Sequence, residues 1–304
     1  MNLKLAILAT LAYSDIFDYP LTFPEIHQNL ILIKSSNYKL AQALEKLVAE
    51  GRVLEVGEFY QLKKKENLKN LRLRREKYAA KKIKKVKFAT RILAIIPTVK
   101  LVGVSGALAV SNTPYNDDID LFVIAAKNFL WTTRFFCNLL LDFFGLRRKA
   151  GCKKVSDKIC LNMFITEDSL KLTPTDLYLA HEILQLKPSF VRGNTYQKFL
   201  LANSWVYKFL PNWRFDAQRL KTNARSKRSK SFVVGRLSLV VENLLKNFQL
   251  KLMERRRTTE IISDTKLFFH PNNVHQKVLT EFKKRLKNLK IPIATTILFF
   301  GYVE

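Results

Sequence analysis

The sequence predicts an α+β fold, and three observations carry that expectation. Apolar residues recur at helical spacing in both outer parts of the chain, whereas the stretch from Thr98 to Ile165 holds short β-branched runs broken by turn residues. The chain is 304 residues long with 48% apolar composition, which supplies a core for two or three domains and excludes disorder as its main description. Its richest apolar stretch, Phe129 to Leu146, is interrupted by Arg134 and Asp142. A bilayer-crossing helix needs about 18 or more apolar residues in a row, so no membrane span is expected.

Residues 1–62 read as three helices and a hairpin. Met1 to Tyr13, with Lys4 ahead of apolar Leu5 to Ala12, superficially looks like a secretory leader but fits a first core helix better. Thr22 followed by Glu25 forms a capping box for a second helix, and Pro24 suits its first turn. A third helix runs from about Asn37 to Glu50, with Leu40, Ala43, Leu44, Leu47 and Val48 on one face and Gly51 as its stop. Val53 to Val56 and Phe59 to Leu62 then flank a Gly57-Glu58 turn. This order loosely resembles a winged helix. The resemblance implies DNA binding, yet the segment carries five basic and seven acidic residues, a net charge of −2. Phosphate affinity needs uncompensated positive charge, so docking to a protein partner is the better expectation for this module.

Residues 63–96 predict a basic helical linker, residues 97–172 a small mixed-sheet α/β unit, and residues 173–304 a helical C-terminal region. In the α/β unit, Val99 to Val104, Leu121 to Ala125 and Ile159 to Ile165 are strands, with an amphipathic helix from Asn128 to Leu146 between the last two. Farther on, Thr175 can cap a helix from Asp176 to Leu186, Thr195 to Phe209 is periodic, and Phe232 to Glu254 is a long amphipathic helix.

Lysine and arginine number 53 against 25 acidic residues, a net charge of +28, so the partner or substrate is polyanionic: RNA, DNA, nucleotide phosphates or an anionic surface. Lys63 to Arg91 holds fourteen Lys/Arg against two Glu, and Arg214 to Arg257 thirteen against three acidic residues. Segments 63–91 and 214–257 are therefore candidate RNA or DNA contacts, densest at Arg225, Lys227, Arg228 and Lys230 and at Arg255 to Arg257. Solvated helix faces would explain the same lysines. Neither G-x-G-x-x-G nor G-x-x-x-x-G-K-[ST] occurs, which removes the dinucleotide fingerprint and the P-loop. The cysteines, Cys137, Cys152 and Cys160, lack C-x-x-C spacing, which implies reduced thiols and a cytoplasmic setting.

The informative segment runs from Gly103 to Ile124. Asp118 and Asp120 flank one apolar residue at a strand start, so their carboxylates project from the same face and repel unless something neutralises them. Hard cations such as Mg²⁺ bind through one or two carboxylates plus substrate phosphates. Upstream, Ser105, Gly106 and Ala107 sit at a strand-to-helix turn, where small side chains let backbone N–H groups approach a triphosphate.

Gly106, Ala107, ten spacer residues and Asp118-Ile119-Asp120 resemble the signature of the DNA polymerase β-like nucleotidyltransferase superfamily over roughly residues 98 to 170. The resemblance implies transfer of a nucleoside monophosphate from an NTP to an acceptor hydroxyl, with Mg²⁺ or Mn²⁺ held by the catalytic Asp118 and Asp120. Ser105, Gly106 and Ala107 would border the triphosphate. Two positions depart from the family: Ala107 replaces a small residue that is often serine, and Asn162 is the best match to a third carboxylate, with Asp157 or Asp168 as substitutes. Members lacking the third acid can bind nucleotide without transferring it, so a catalytically weakened nucleotide- or nucleic-acid-binding protein is the alternative expectation.

Arg134, and less directly Lys127, Arg147 and Arg148, could reach phosphates from the helix after the carboxylate strand. His270 and His275 beside Pro271 and Asn272 read as a helix start, not a metal site. His181-Glu182 lacks the second histidine of H-E-x-x-H.

Overall fold

Caps and apolar spacing build the N-terminal unit as expected. Asn2 accepts the Leu5 N–H and opens α1 (Leu3–Asp15), in which Ala6 to Tyr13 are all buried, so this helix is enclosed by core. Glu25 accepts the Thr22 N–H at 2.9 Å at the start of α2 (Phe23–Gln28), and Ser36 caps α3 (Asn37–Ala49). Strands β1 (Leu21–Thr22), β2 (Val53–Val56) and β3 (Phe59–Leu62) form an antiparallel sheet in the order β1-β3-β2. The computed structural model describes residues 1–62, 68–149, 151–152, 155–213, 236–254, 260–269 and 273–291.

The basic segment becomes α4 (Leu68–Leu93), and the chain then enters a larger sheet through β4 (Val99–Val104), α5 (Gly106–Ala109), β5 (Ile119–Ala125), α6 (Leu130–Phe143) and β6 (Ile159–Thr166). Six strands follow the order β7-β4-β5-β6-β9-β8, with β7 at Lys187–Val191, β8 at Ile261–Ile262 and β9 at Lys266–Phe268. Among the described residues, β5 and β6 pair in parallel and the other neighbouring strands of this sheet are antiparallel. Strand alternation sends Leu101, Phe122 and Ile124 to one face, packed with α1, α3, α7 (Leu177–Gln185) and α8 (Thr195–Ala202). Val102, Val104, Leu121 and Val123 face the other side, under α4 and α6.

The region after residue 173 departs from the purely helical expectation. It holds α7, α8, α9 (Val206–Phe209), α10 (Arg236–Glu254) and α11 (Asn273–Asn288), but it also contributes β7, β8 and β9 to both edges of the sheet. These strands are two to five residues long, and Pro188 lies in one, so alternation has too few positions to register. The cap of α7 is Asp176, whose carboxylate accepts the Leu179 N–H at 2.9 Å, one residue after Thr175. The periodic run Thr195 to Phe209 breaks at buried Asn203, which accepts from the Leu172 N–H and donates to the Leu170 carbonyl. No helix among the described residues is long and apolar enough to cross a membrane. Residues 63–67, 214–235, 255–259 and 270–272 lie outside the description, and with them the densest basic clusters and His270.

The N-terminal unit shares its core with the sheet, so its docking partner within this structure is the rest of the same chain. Arg72 of α4 fastens the two. Its guanidinium donates to Glu25 at 2.8 Å, Glu76 at 2.7 Å and the Pro20 carbonyl at 2.8 Å, and it lies 3.8 Å above the Tyr19 ring. Burial alone would raise the Glu25 carboxyl, but the bonds and charge of Arg72 outweigh it and hold the group below the usual carboxylate range. Arg72→Ala leaves the half-buried Glu25 carboxylate with only the Tyr19 hydroxyl and the Thr22 N–H and hydroxyl as partners, so chemical denaturation is expected to show a loss of about 1–3 kcal/mol at neutral pH. Because the Glu25 value is lowered in the fold, its contribution holds at neutral pH and disappears as acid protonates it; the deficit of Arg72→Ala therefore shrinks in acid.

Candidate metal and nucleotide site

The starts of the two parallel strands lie side by side. The Ile119 N–H donates to the Lys158 carbonyl at 2.8 Å and the Asp157 N–H to the Asp117 carbonyl at 3.1 Å. In this register Asp120 stands beside Cys160. One oxygen each of Asp118 and Asp120 and the Cys160 sulfur lie within 4.8 Å of one another, on the sheet face that α7 and α8 cover. The third position beside the acid pair is therefore a thiol. Asn162, the expected match to the third carboxylate, falls in a β-bulge between Leu161 and Met163, with its carbonyl accepting the Phe269 N–H.

The proposed substitutes for that acid point elsewhere. Asp157 pairs with Lys82 at 3.1 Å and Lys85 at 2.8 Å on α4, and Asp168 follows the far end of β6, 4.0 Å from Lys127. A different carboxyl senses the Asp120 charge: Glu182 of α7, pushed up to about 7 by burial and then by Asp120, with His275 of α11 pulling the other way. His275 in turn holds Asp176 at 2.6 Å and stacks on Tyr178, the residue one turn before Glu182. His275 is thus a hydrogen-bond partner of Asp176 near the start of α11. His181, next along the chain, is buried against the Tyr13 ring at 4.2 Å, and burial drops its imidazole to about 3, so it stays neutral.

The turn upstream closes over the acids. The Ser105 N–H donates to the Asp120 carbonyl at 3.1 Å, and Gly106 adopts φ +62°, where a Cβ would stand 3.1 Å from Asp120 Oδ2. A side chain there would be strained and crowded at once. The Ser105 hydroxyl is buried with no hydrogen-bond partner among the described residues. Ala107 follows, its carbonyl accepting the Asn112 N–H at 2.8 Å.

Of the cations expected near phosphates, Arg148 reaches the site and Arg134 does not. Arg148 donates to Asp118 at 2.6 Å, steadied by its own N–H on the Ile159 carbonyl. Arg134 lies on α6, across the sheet from the acids, donating to Gln249 at 2.6 Å over the Phe269 ring; burial lowers it to about 10. The helical period that makes α6 amphipathic turns Arg134 toward α10 instead of the strand start. Arg147 pairs with Asp142 at 2.6 Å.

The donor set suits a hard divalent cation. Two carboxylates supply oxygen ligands, and Ser105 offers an unsatisfied hydroxyl beside them. Burial, and after it the two carboxylates, raise the Cys160 thiol far above its usual value, and it hydrogen-bonds Asp120, so without a cation it is a neutral S–H and not a thiolate.

Glu182 gives the site a pH signature. Its folded-state value lies above the ordinary 4.5, so this group destabilises the fold progressively as pH rises from about 4.5 to 7. Glu182→Gln removes that term. Thermal melts in metal-free buffer should show the variant gaining on the wild type between pH 5 and about 8; a difference independent of pH would contradict the assignment. Compared with known proteins, the chain matches no family model, no curated protein and no solved structure.

Proposed function

We propose that this protein transfers a nucleoside monophosphate from an NTP to an acceptor hydroxyl, using a DNA polymerase β-like nucleotidyltransferase unit behind a winged-helix-like segment. The observation that carries the reading is the meeting of Asp118 and Asp120 with the Ser105-Gly106 turn, where a Cβ on Gly106 would stand only 3.1 Å from Asp120 Oδ2. Asp118 and Asp120 would hold Mg²⁺ or Mn²⁺, which when bound offsets polyphosphate charge and favours displacement of pyrophosphate. The chain supplies the rest. Gly106 permits close approach of backbone to phosphate, the Ser105 hydroxyl donates to a phosphate oxygen, and Arg148 exchanges its Asp118 partner for the polyphosphate. As the acceptor oxygen bonds to the α-phosphorus and the bond to pyrophosphate breaks, the proton of the acceptor hydroxyl passes to water.

A second reading, nucleotide binding without transfer, is favoured by Cys160, which stands where a third carboxylate would complete the cluster. Labelled NTPs with Mg²⁺ or Mn²⁺ and candidate acceptors separate the two. Transfer predicts incorporation that Asp118→Ala or Asp120→Asn lowers about a hundredfold or more, the scale of several kcal/mol of lost charge stabilisation. Binding alone predicts metal-dependent NTP affinity with no incorporation until Cys160→Asp restores it. Equal incorporation by wild type and Asp118→Ala would overturn the site assignment.

A further inference from the structure

Helix α10 is built inside out. Its polar residues Glu242 and Gln249 are buried: Glu242 accepts the Trp131 and Thr132 N–H groups at 2.7 and 2.8 Å, and Gln249 donates to the Trp131 carbonyl at 2.9 Å. Leu250 and Met253 pack against the core, but a separate apolar row points away from the protein. Val240, Leu244, Phe248 and Leu252 stand four apart along one ridge and are 53%, 64%, 53% and 63% exposed.

The neighbouring α6 carries a second outward stripe. Trp131, Cys137 and Leu141 already fill its core face, while Phe136, Leu139 and Phe143 at positions i, i+3 and i+7 are exposed, Phe143 to 80%. Ring contacts make the stripes continuous. Phe248 meets Phe135 at 6.4 Å and Phe135 meets Phe136 at 5.4 Å; at the other end Phe143 meets Phe144 at 5.1 Å and Phe144 meets Phe88 of α4 at 5.8 Å. One apolar strip thus crosses α10, α6 and α4 on the outside of the helical layer, and the fold's own core does not use it.

Basic side chains border the strip. Phe88 has exposed Lys84 and Arg91 one turn to either side, with Lys81 and Lys87 also exposed, and α10 exposes Lys251 and is followed in sequence by Arg255-Arg256-Arg257. We propose that this face docks on an anionic lipid bilayer, with the phenylalanine and aliphatic side chains entering the headgroup boundary and the surrounding lysines and arginines holding the lipid phosphates. Charge selects this occupant over a second copy of the chain, since two such basic faces repel. Nucleic acid would take the charge but offers no apolar medium for Val240, Leu244 and Leu252.

Co-sedimentation of the full chain with vesicles tests the proposal. The wild type should bind vesicles of phosphatidylglycerol and phosphatidylcholine in equal parts and bind pure phosphatidylcholine weakly. Phe143→Ser with Leu244→Ser should cost at least about tenfold in affinity, as should Lys84→Glu with Arg91→Glu, with circular dichroism melts unchanged because all four residues are exposed. Failure of the wild type to bind, or binding that the serine pair leaves intact, would overturn it. So would a wild-type dimer or an RNA complex that the serine pair abolishes in the absence of vesicle binding.

Discussion

Asp118 and Asp120 repel each other, and the start of β5 is arranged around that repulsion. The parallel register with β6 sets Cys160 as a neutral S–H donor to Asp120, the backbone of β6 holds Arg148 against Asp118, and Gly106 leaves room for the Asp120 carboxylate. Each contact lowers the cost of keeping two like charges within a few ångströms. None of them supplies a full second positive charge at the cluster, and the remaining negative potential reaches Glu182 and Asp117, whose carboxyls are both raised by burial and then by these acids. Such a field is what a divalent cation at Asp118, Asp120 and Cys160 could offset.

The N-terminal unit and the carboxylate strand were legible because their signals are local. The Thr22–Glu25 capping box, the Gly57 turn and the β-branched runs of β4, β5 and β6 each lie within a few residues of the element they define. What the sequence hid was register and face. Aligning Ile119–Ala125 with Ile159–Thr166 from their first residues puts Cys160 beside Asp120, but the family pattern looks for an oxygen ligand on the later strand and so points to Asn162, which the bulge displaces. Arg134 was misplaced for a related reason. Chain proximity to the acids says nothing about which side of the sheet a crossover helix covers. Glu182 carries no motif at all; only the packing of α7 over the sheet brings it toward Asp120.

Charge was read correctly as a total and less well in detail. Within the basic helix α4, Arg72 and Lys82 are buried and bind the chain's own groups, Lys82 donating to the Tyr115 and Asp117 carbonyls. They therefore hold the N-terminal unit and the loop before Asp118, while the exposed lysines beside Phe88 share their surface with apolar side chains. One helix does both jobs because its period sends different residues of each turn to opposite sides, as with buried Lys82 between exposed Lys81 and Lys84.

The central claim is that Asp118 and Asp120 hold a divalent cation beneath a polyphosphate. Titration of Mn²⁺ followed by electron paramagnetic resonance, with a non-hydrolysable NTP present, reads this directly. The account predicts saturable loss of the free Mn²⁺ signal in the wild type, strengthened by the nucleotide and absent when Asp118 and Asp120 are both alanine. Equal Mn²⁺ uptake by wild type and that double variant would contradict it.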